Sequence, residues 1–148
     1  MRFQRIGGLT GDALEAHRDD RPEAGLTENE MAYVDGFLLG FKTKNLKTYT
    51  EMSKAAGIIW RSHGALDYKE CIGDDMKIKG VNSFLKLLKC GKGETAIFAF
   101  IVYKSRAHRD KVNAKVMSDP RMGKAMQGAM PFDLKRMWMG GFKVFVDA

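Results

Sequence analysis

The stretch AIFAFIVY (96–103) constrains the fold of this 148-residue chain more than any other. It is apolar at every position, and a strand shows alternate side chains to opposite faces, so such a run belongs to a central strand covered on both sides. Phe98, Phe100 and Val102 share one parity; Ile97, Ala99, Ile101 and Tyr103 share the other. Whatever packs on one face, something equally apolar has to pack on the other.

The surrounding pattern supplies neighbours for that strand. Ala32–Phe41 reads as a second strand with apolar residues on both parities. From Asn45 to about His63 the residues Leu46, Tyr49, Ser53, Ala56, Trp60 and His63 recur every three or four positions, a helical stripe, and Gly64 suits the left-handed cap after it. Ala65–Ile72 reads as a strand, broken by Gly73-Asp74-Asp75. Val81–Cys90 reads as another, joined to Thr95–Tyr103 by Gly91-Lys92-Gly93-Glu94 as a hairpin. Ser105 is a good cap for a helix running to Ser118, and Asp119-Pro120 both ends it and starts a short third one. Lys135–Val146 closes the series as a strand with a bulge expected at Gly140-Gly141.

This order predicts an α+β domain on the ferredoxin-like βαββαβ plan. Its two main helices can cover one face of the sheet only. A second copy of the same sheet is the simplest cover for the other, which gives a homodimer closing a dimeric α/β barrel. Residues 31–148 hold 21 basic and 11 acidic side chains, a balance of +10, which attracts anionic partners at long range. Residues 1–30 hold 4 basic and 7 acidic ones and show no strand alternation, so they read as a flexible N-terminal extension, either upstream of a natural start at Met31 or a mobile tail. No apolar run approaches the roughly 20 residues of a membrane span, and no signal-peptide pattern opens the chain. A cytoplasmic address follows, with Cys71 and Cys90 as reduced thiols. No metal-ligand spacing, phosphate loop or nucleophile elbow is present, so neither a metal nor another cofactor is expected.

The segments YVDGF (33–37), WRSHGALDYKECIGDD (60–75), IVYKSRAHRDKVNAKVM (101–117), DPRM (119–122) and MPFDLKRMWMGGF (130–142) closely resemble the YbaA-like family of bacterial proteins. The resemblance spans nearly all of residues 31–148, is weaker over 83–94, and does not reach 1–30. It implies the fold of the wider dimeric α/β-barrel group, and a dimer, but no reaction. That wider group includes cofactor-free oxygenases, haem-degrading enzymes and small-ligand binders with a pocket between sheet and helices.

Candidate site residues come from polar side chains near the expected pocket. His63 ends the helical stripe one turn after Trp60 and could act as a base or ligand donor, or simply bond the last helix carbonyls. His108 is a second candidate for catalysis: it stands with Arg109 in the first turn of the helix after Ser105, Asn113 follows one turn on, and Arg106 could add a bidentate donor for an anion. Tyr68 completes the ligand-binding set of Trp60, Arg106, Arg109 and Asn113; it shares a strand face with Glu70. Asp35, beside Tyr33 on an apolar strand, needs a counter-ion, for which Arg136 is a candidate, as a structural ion pair or part of a dimer seam. Met117, Met122, Met126, Met130, Met137 and Met139 could line a pliable pocket or fill the core.

The expected function is binding of a small apolar or aromatic ligand with a polar or anionic handle, extending to cofactor-free oxygenation. Two alternatives belong to other classes. One is a non-enzymatic accessory protein whose surface binds a macromolecule. The other is an RNA-binding module, because Phe98, Ala99, Phe100, Ile101 and Tyr103 match the latter part of an RNA-recognition strand signature.

Overall fold

The structure, a computed structural model, describes residues 31–148. The extension expected over 1–30, and its boundary at the natural start, lie outside the described residues. Strands β1 (Tyr33–Lys42), β2 (Asp67–Ile72), β3 (Glu94–Tyr103) and β4 (Met137–Lys143) form one antiparallel sheet in the order β2-β3-β1-β4. Helices α1 (Leu46–Ser62), α3 (Arg106–Met117) and the short α4 (Pro120–Ala125) complete an α+β fold, with a single turn of helix, α2 (Phe84–Leu87), between β2 and β3.

The two parities of β3 separate as the alternation predicts. Ile97, Ala99, Ile101 and Tyr103 are buried, and Ile101 and Tyr103 share a core with Ile59 of α1 and Val112 and Val116 of α3. A second core joins Leu39, Phe41 and Ile97 to Tyr49 of α1. Both helices therefore cover one face. On the other, register places Trp138, Leu38, Phe98 and Cys71 in one row and Phe142, Val34, Val102 and Asp67 in another. At one end of this face Ala96 is buried and the Arg136 side chain lies over Gly40, but the two rows themselves are left open: Phe98 is 48% exposed, Trp138 59% and Phe142 60%. The sheet keeps free edges at β2 and β4, so one chain does not close a barrel.

Local signals for helix ends hold. The Ser105 hydroxyl accepts from the His108 amide, the Asp119 carboxylate accepts from the Arg121 amide with Pro120 at the first helical position, and Gly64 takes φ +110° after α1.

Three expectations are corrected. Val81–Cys90 is not a strand: Ser83 caps α2 by accepting from the Leu85 amide, and β2, not this segment, occupies the free side of β3. Phe84, Leu85, Leu87 and Leu88 recur at helical as well as strand-like spacing, and a short apolar run does not choose between them; only Leu88 is buried. Gly140-Gly141 forms no bulge, because the β1–β4 register runs unbroken from Tyr33↔Lys143 to Leu39↔Met137. Those glycines instead admit rings: a Cβ on Gly141 would stand 2.8 Å from the Tyr33 ring, and the Phe142 ring lies across Gly140 and Gly36. The last strand is also shorter than expected, since Asp133 caps a 3-10 turn over Leu134–Arg136 before β4 begins.

Candidate functional site

Between the covered face of the sheet, α1, α4 and the segment leading to β4 lies a cavity of about 570 Å³. Six methionines line it: Met52, Met117, Met122, Met126, Met130 and Met137. Aromatic rings of Phe37, Tyr49, Trp60, Tyr68 and Phe132 make up much of the rest. The size falls within the usual range for small-molecule sites of about 300–1,000 Å³. Thioether side chains bend and polarise readily, so such a wall adapts to apolar ligands of differing outline.

One wall is polar. Tyr49 donates its hydroxyl to Glu70 Oε2 at 2.7 Å, and Tyr68 donates to Glu70 Oε1 at 2.9 Å. Burial first, and then the facing Glu70 carboxylate, raise both tyrosines above their ordinary pKa, so the hydroxyls stay protonated and keep donating. Tyr68 reaches this position because α1 has a glycine where its ring lies: a Cβ on Gly57 would stand 2.8 Å from Tyr68 Cδ1. The ring of Trp60 tilts against that of Tyr68 with centroids 6.2 Å apart, and Phe132 meets Tyr49 edge-on at 5.8 Å. Tyr49, Ser53, Tyr68 and Glu70 also line a second, outer hollow of about 660 Å³ between α1 and the edge strand β2. They form the partition between the two spaces.

Of the residues expected to act in catalysis, ligand binding or the ion pair, only Trp60 and Tyr68 line the inner cavity. Asn113 reaches it indirectly: its Oδ1 accepts from Trp60 Nε1 at 3.2 Å and from the Tyr103 hydroxyl at 3.0 Å, fixing the indole plane. Arg109 is occupied by Asp35, with Nη1 to Oδ1 at 2.7 Å, and its guanidinium stacks over the Tyr33 ring at 4.8 Å. Asp35 therefore does not pair with Arg136. The register explains why: Arg136 precedes Met137, which faces Leu39, so its side chain lies on Gly40, at the far end of β1 from Asp35, and binds Glu94.

His63 and His108 stand apart from the cavity and from each other's partners. His63 Nε2 bonds Asp119 Oδ2 at 2.6 Å, and Arg121 braces the same carboxylate, so this histidine ties the end of α1 to the start of α4. His108 Nδ1 accepts from the Lys104 amide at 3.0 Å, while burial and then Lys104, Lys111 and Lys115 lower its pKa and keep the ring neutral. Arg106 is exposed. In the sequence Tyr49 is one member of a helical stripe, and Glu70 carries no signal beyond sharing a strand face with Tyr68. Of the methionines considered, Met139 alone is absent from the lining. Among the described residues, no group of His, Cys, Asp and Glu side chains could hold a metal ion, and no helix is long and apolar enough to cross a membrane.

Residues 32–134 match the family described as "Protein of unknown function (DUF1428)". The uncharacterised protein YbaA of Escherichia coli strain K12 is 39% identical over 117 residues, covering 79% of this chain and 99% of its own. YbaA of Shigella flexneri matches to the same extent. Among solved structures, that of AtUAH in complex with (S)-hydroxyglycine aligns with 64% of this chain and 23% of its own at 12% identity. Its TM-score of 0.27 is too low to bear on fold or function.

Proposed function

The chain belongs to the DUF1428 family, proteins of unknown function, and from that premise we propose that it is a homodimeric barrel protein that binds a small apolar or aromatic ligand in the methionine-lined cavity. The observation that carries this reading is the cavity itself: about 570 Å³ of space between sheet and helices, with a flexible thioether lining and one polar wall. A concave, mostly apolar cleft of this size with a few convergent polar groups is the usual form of a small-molecule site. Tyr68 and Trp60 would contact the ligand directly, with Asn113 holding Trp60 in place. Arg109 is neutralised by Asp35, so an anionic handle would lack the anchor expected for it. A polar handle at the Tyr49–Glu70–Tyr68 wall fits better.

The dimer rests on the uncovered sheet face. The strand order β4-β1-β3-β2, with α1 and α3 on one side, fits the ferredoxin-like plan, and two such sheets stacked face to face would sit about 10 Å apart. Leu38, Phe98, Phe100, Val102, Trp138 and Phe142 would then form the shared core. Cys71 is an exposed free thiol, which suits a reducing cytoplasmic address.

Uptake of the neutral fluorophore N-phenyl-1-naphthylamine tests the cavity. Saturable binding by the wild type, weakened at least about tenfold when Ala56→Phe fills the space, is the expected result. No saturable uptake by the folded wild type would refute the reading.

A second reading has one observation in its favour. The rings of Phe98 and Phe100 lie side by side on the uncovered face with centroids 5.9 Å apart, an arrangement that could stack nucleic-acid bases. A dimer buries both rings, so sedimentation of the free protein separates the two: a monomer that binds single-stranded RNA would favour this reading.

A further inference from the structure

The polar wall also says which handle the ligand carries, if the cavity is a binding site as proposed above. Glu70 is the one carboxylate lining the cavity, and a carboxylate only accepts hydrogen bonds. Each of its oxygens receives one tyrosine hydroxyl, which leaves acceptor capacity on both. Among the described residues no Lys, Arg or His forms an ion pair with Glu70. The cationic side chain in the lining of the cavity is Lys69, and its amine is held by Asp67 at 2.7 Å. Lys54 and Arg61 line the outer hollow, which Glu70 also borders, and neither forms an ion pair with it.

Tyr49 and Tyr68 hold this carboxylate directly, Phe132 and Trp60 pack against those two rings, and all four line the same cavity as the methionines. Aromatic faces attract cations, and the attraction grows where water is excluded. Glu70 is exposed on the edge strand, so a wholly apolar ligand seated against it would displace part of its water and offer nothing in return, which is unfavourable for a charge. A carboxylate ligand would add like-charge repulsion. A protonated amine restores both lost hydrogen bonding and charge balance, and its bonds to Glu70 are of the stronger, charge-assisted kind.

We propose that this cavity selects a cationic amine: an apolar or aromatic body seated among the methionines, with a primary or methylated ammonium between Glu70 and the rings of Trp60, Tyr68 and Tyr49. The assignment gives each part of the site a task. Gly57 lets the Tyr68 ring lie against α1, the tyrosine hydroxyls hold the carboxylate in one orientation, and the thioethers take the variable end of the molecule.

Three probes with one body and different heads test it: 3-phenylpropylamine, 3-phenylpropanol and 3-phenylpropanoate, titrated calorimetrically into the wild type and Glu70→Gln at pH 7. The expected result is an ammonium preference over the alcohol of about tenfold or more, with the carboxylate weakest, and loss of that preference in Glu70→Gln while the alcohol still binds. An ammonium that binds no tighter than the alcohol, or a preference that survives Glu70→Gln, would overturn the inference and leave the ligand-binding reading intact. Failure of all three probes, together with failure of the neutral fluorophore, would remove the binding reading itself. Should Glu70→Gln not fold, the wild-type ranking of the three heads decides the matter alone.

Discussion

At the scale of single residues, the buried polar groups divide into those that hold the fold and those that face the cavity. Asp35 is 2% exposed and its carboxylate has one charged partner, Arg109, 74 residues away in the chain. Removing one member of such a pair leaves the other charge in a poor solvent, so Arg109→Leu should lower unfolding free energy by about 3 kcal/mol in urea titrations. The double change Asp35→Ala with Arg109→Ala should cost less than the two single changes summed. Asp119 behaves differently. Arg121 first, then His63 and the Arg121 amide, hold its carboxyl far below the ordinary value of 3.8. A group whose pKa falls on folding stabilises the fold above its unfolded pKa, and that contribution disappears as the folded-state group takes up its proton. The contribution of Asp119 is thus complete above about pH 4 and shrinks as the pH drops further. In Asp119→Asn the melting temperature should be lower at pH 7, and the difference from wild type should narrow on acidification below pH 4.

Elements were legible in the sequence where a local device defines them. Ser105, Asp119 with Pro120, and Gly64 each mark a helix end through bonds made within a few residues, and each works as the sequence suggests. The parity of β3 was readable for the same reason, since alternation is a property of one strand. The segment 81–90 was not, because its short apolar run fits either structure and what decides it is which strand reaches β3 first. The cavity was least visible of all. Its walls come from α1, β2, α4 and the stretch before β4, and no spacing along the chain announces that Tyr49 and Glu70 will meet. The α1–β2 contact yields a further prediction. Gly57→Ala should lower stability by about 1–3 kcal/mol by overpacking, and should weaken amine binding by shifting Tyr68, while Ala55→Gly on the same helix should cost stability without changing the ammonium preference.

For the whole molecule the decisive property is a sheet with one face furnished by its own helices and the other left apolar. Charge placed in the middle of that face should prevent two copies from meeting. Phe98→Asp is expected to give a monomer by light scattering at micromolar concentration, with far-ultraviolet circular dichroism little changed, because the ring has no role in the covered core. Wild-type protein that scatters as a monomer under the same conditions would remove the basis for the barrel.

The chain contains two tryptophans, and they stand on opposite sides of the sheet. Trp60 is clasped by Asn113 beside the methionines, whereas Trp138 looks outward from β4. Replacing either one by phenylalanine leaves a single tryptophan, which can be excited apart from the tyrosines, so two optical reporters are built into the molecule. Emission from Trp60 would follow a guest arriving in the interior, and emission from Trp138 would follow two copies coming together. Whether occupancy and pairing influence each other then becomes a measurement in one cuvette, with no dye attached.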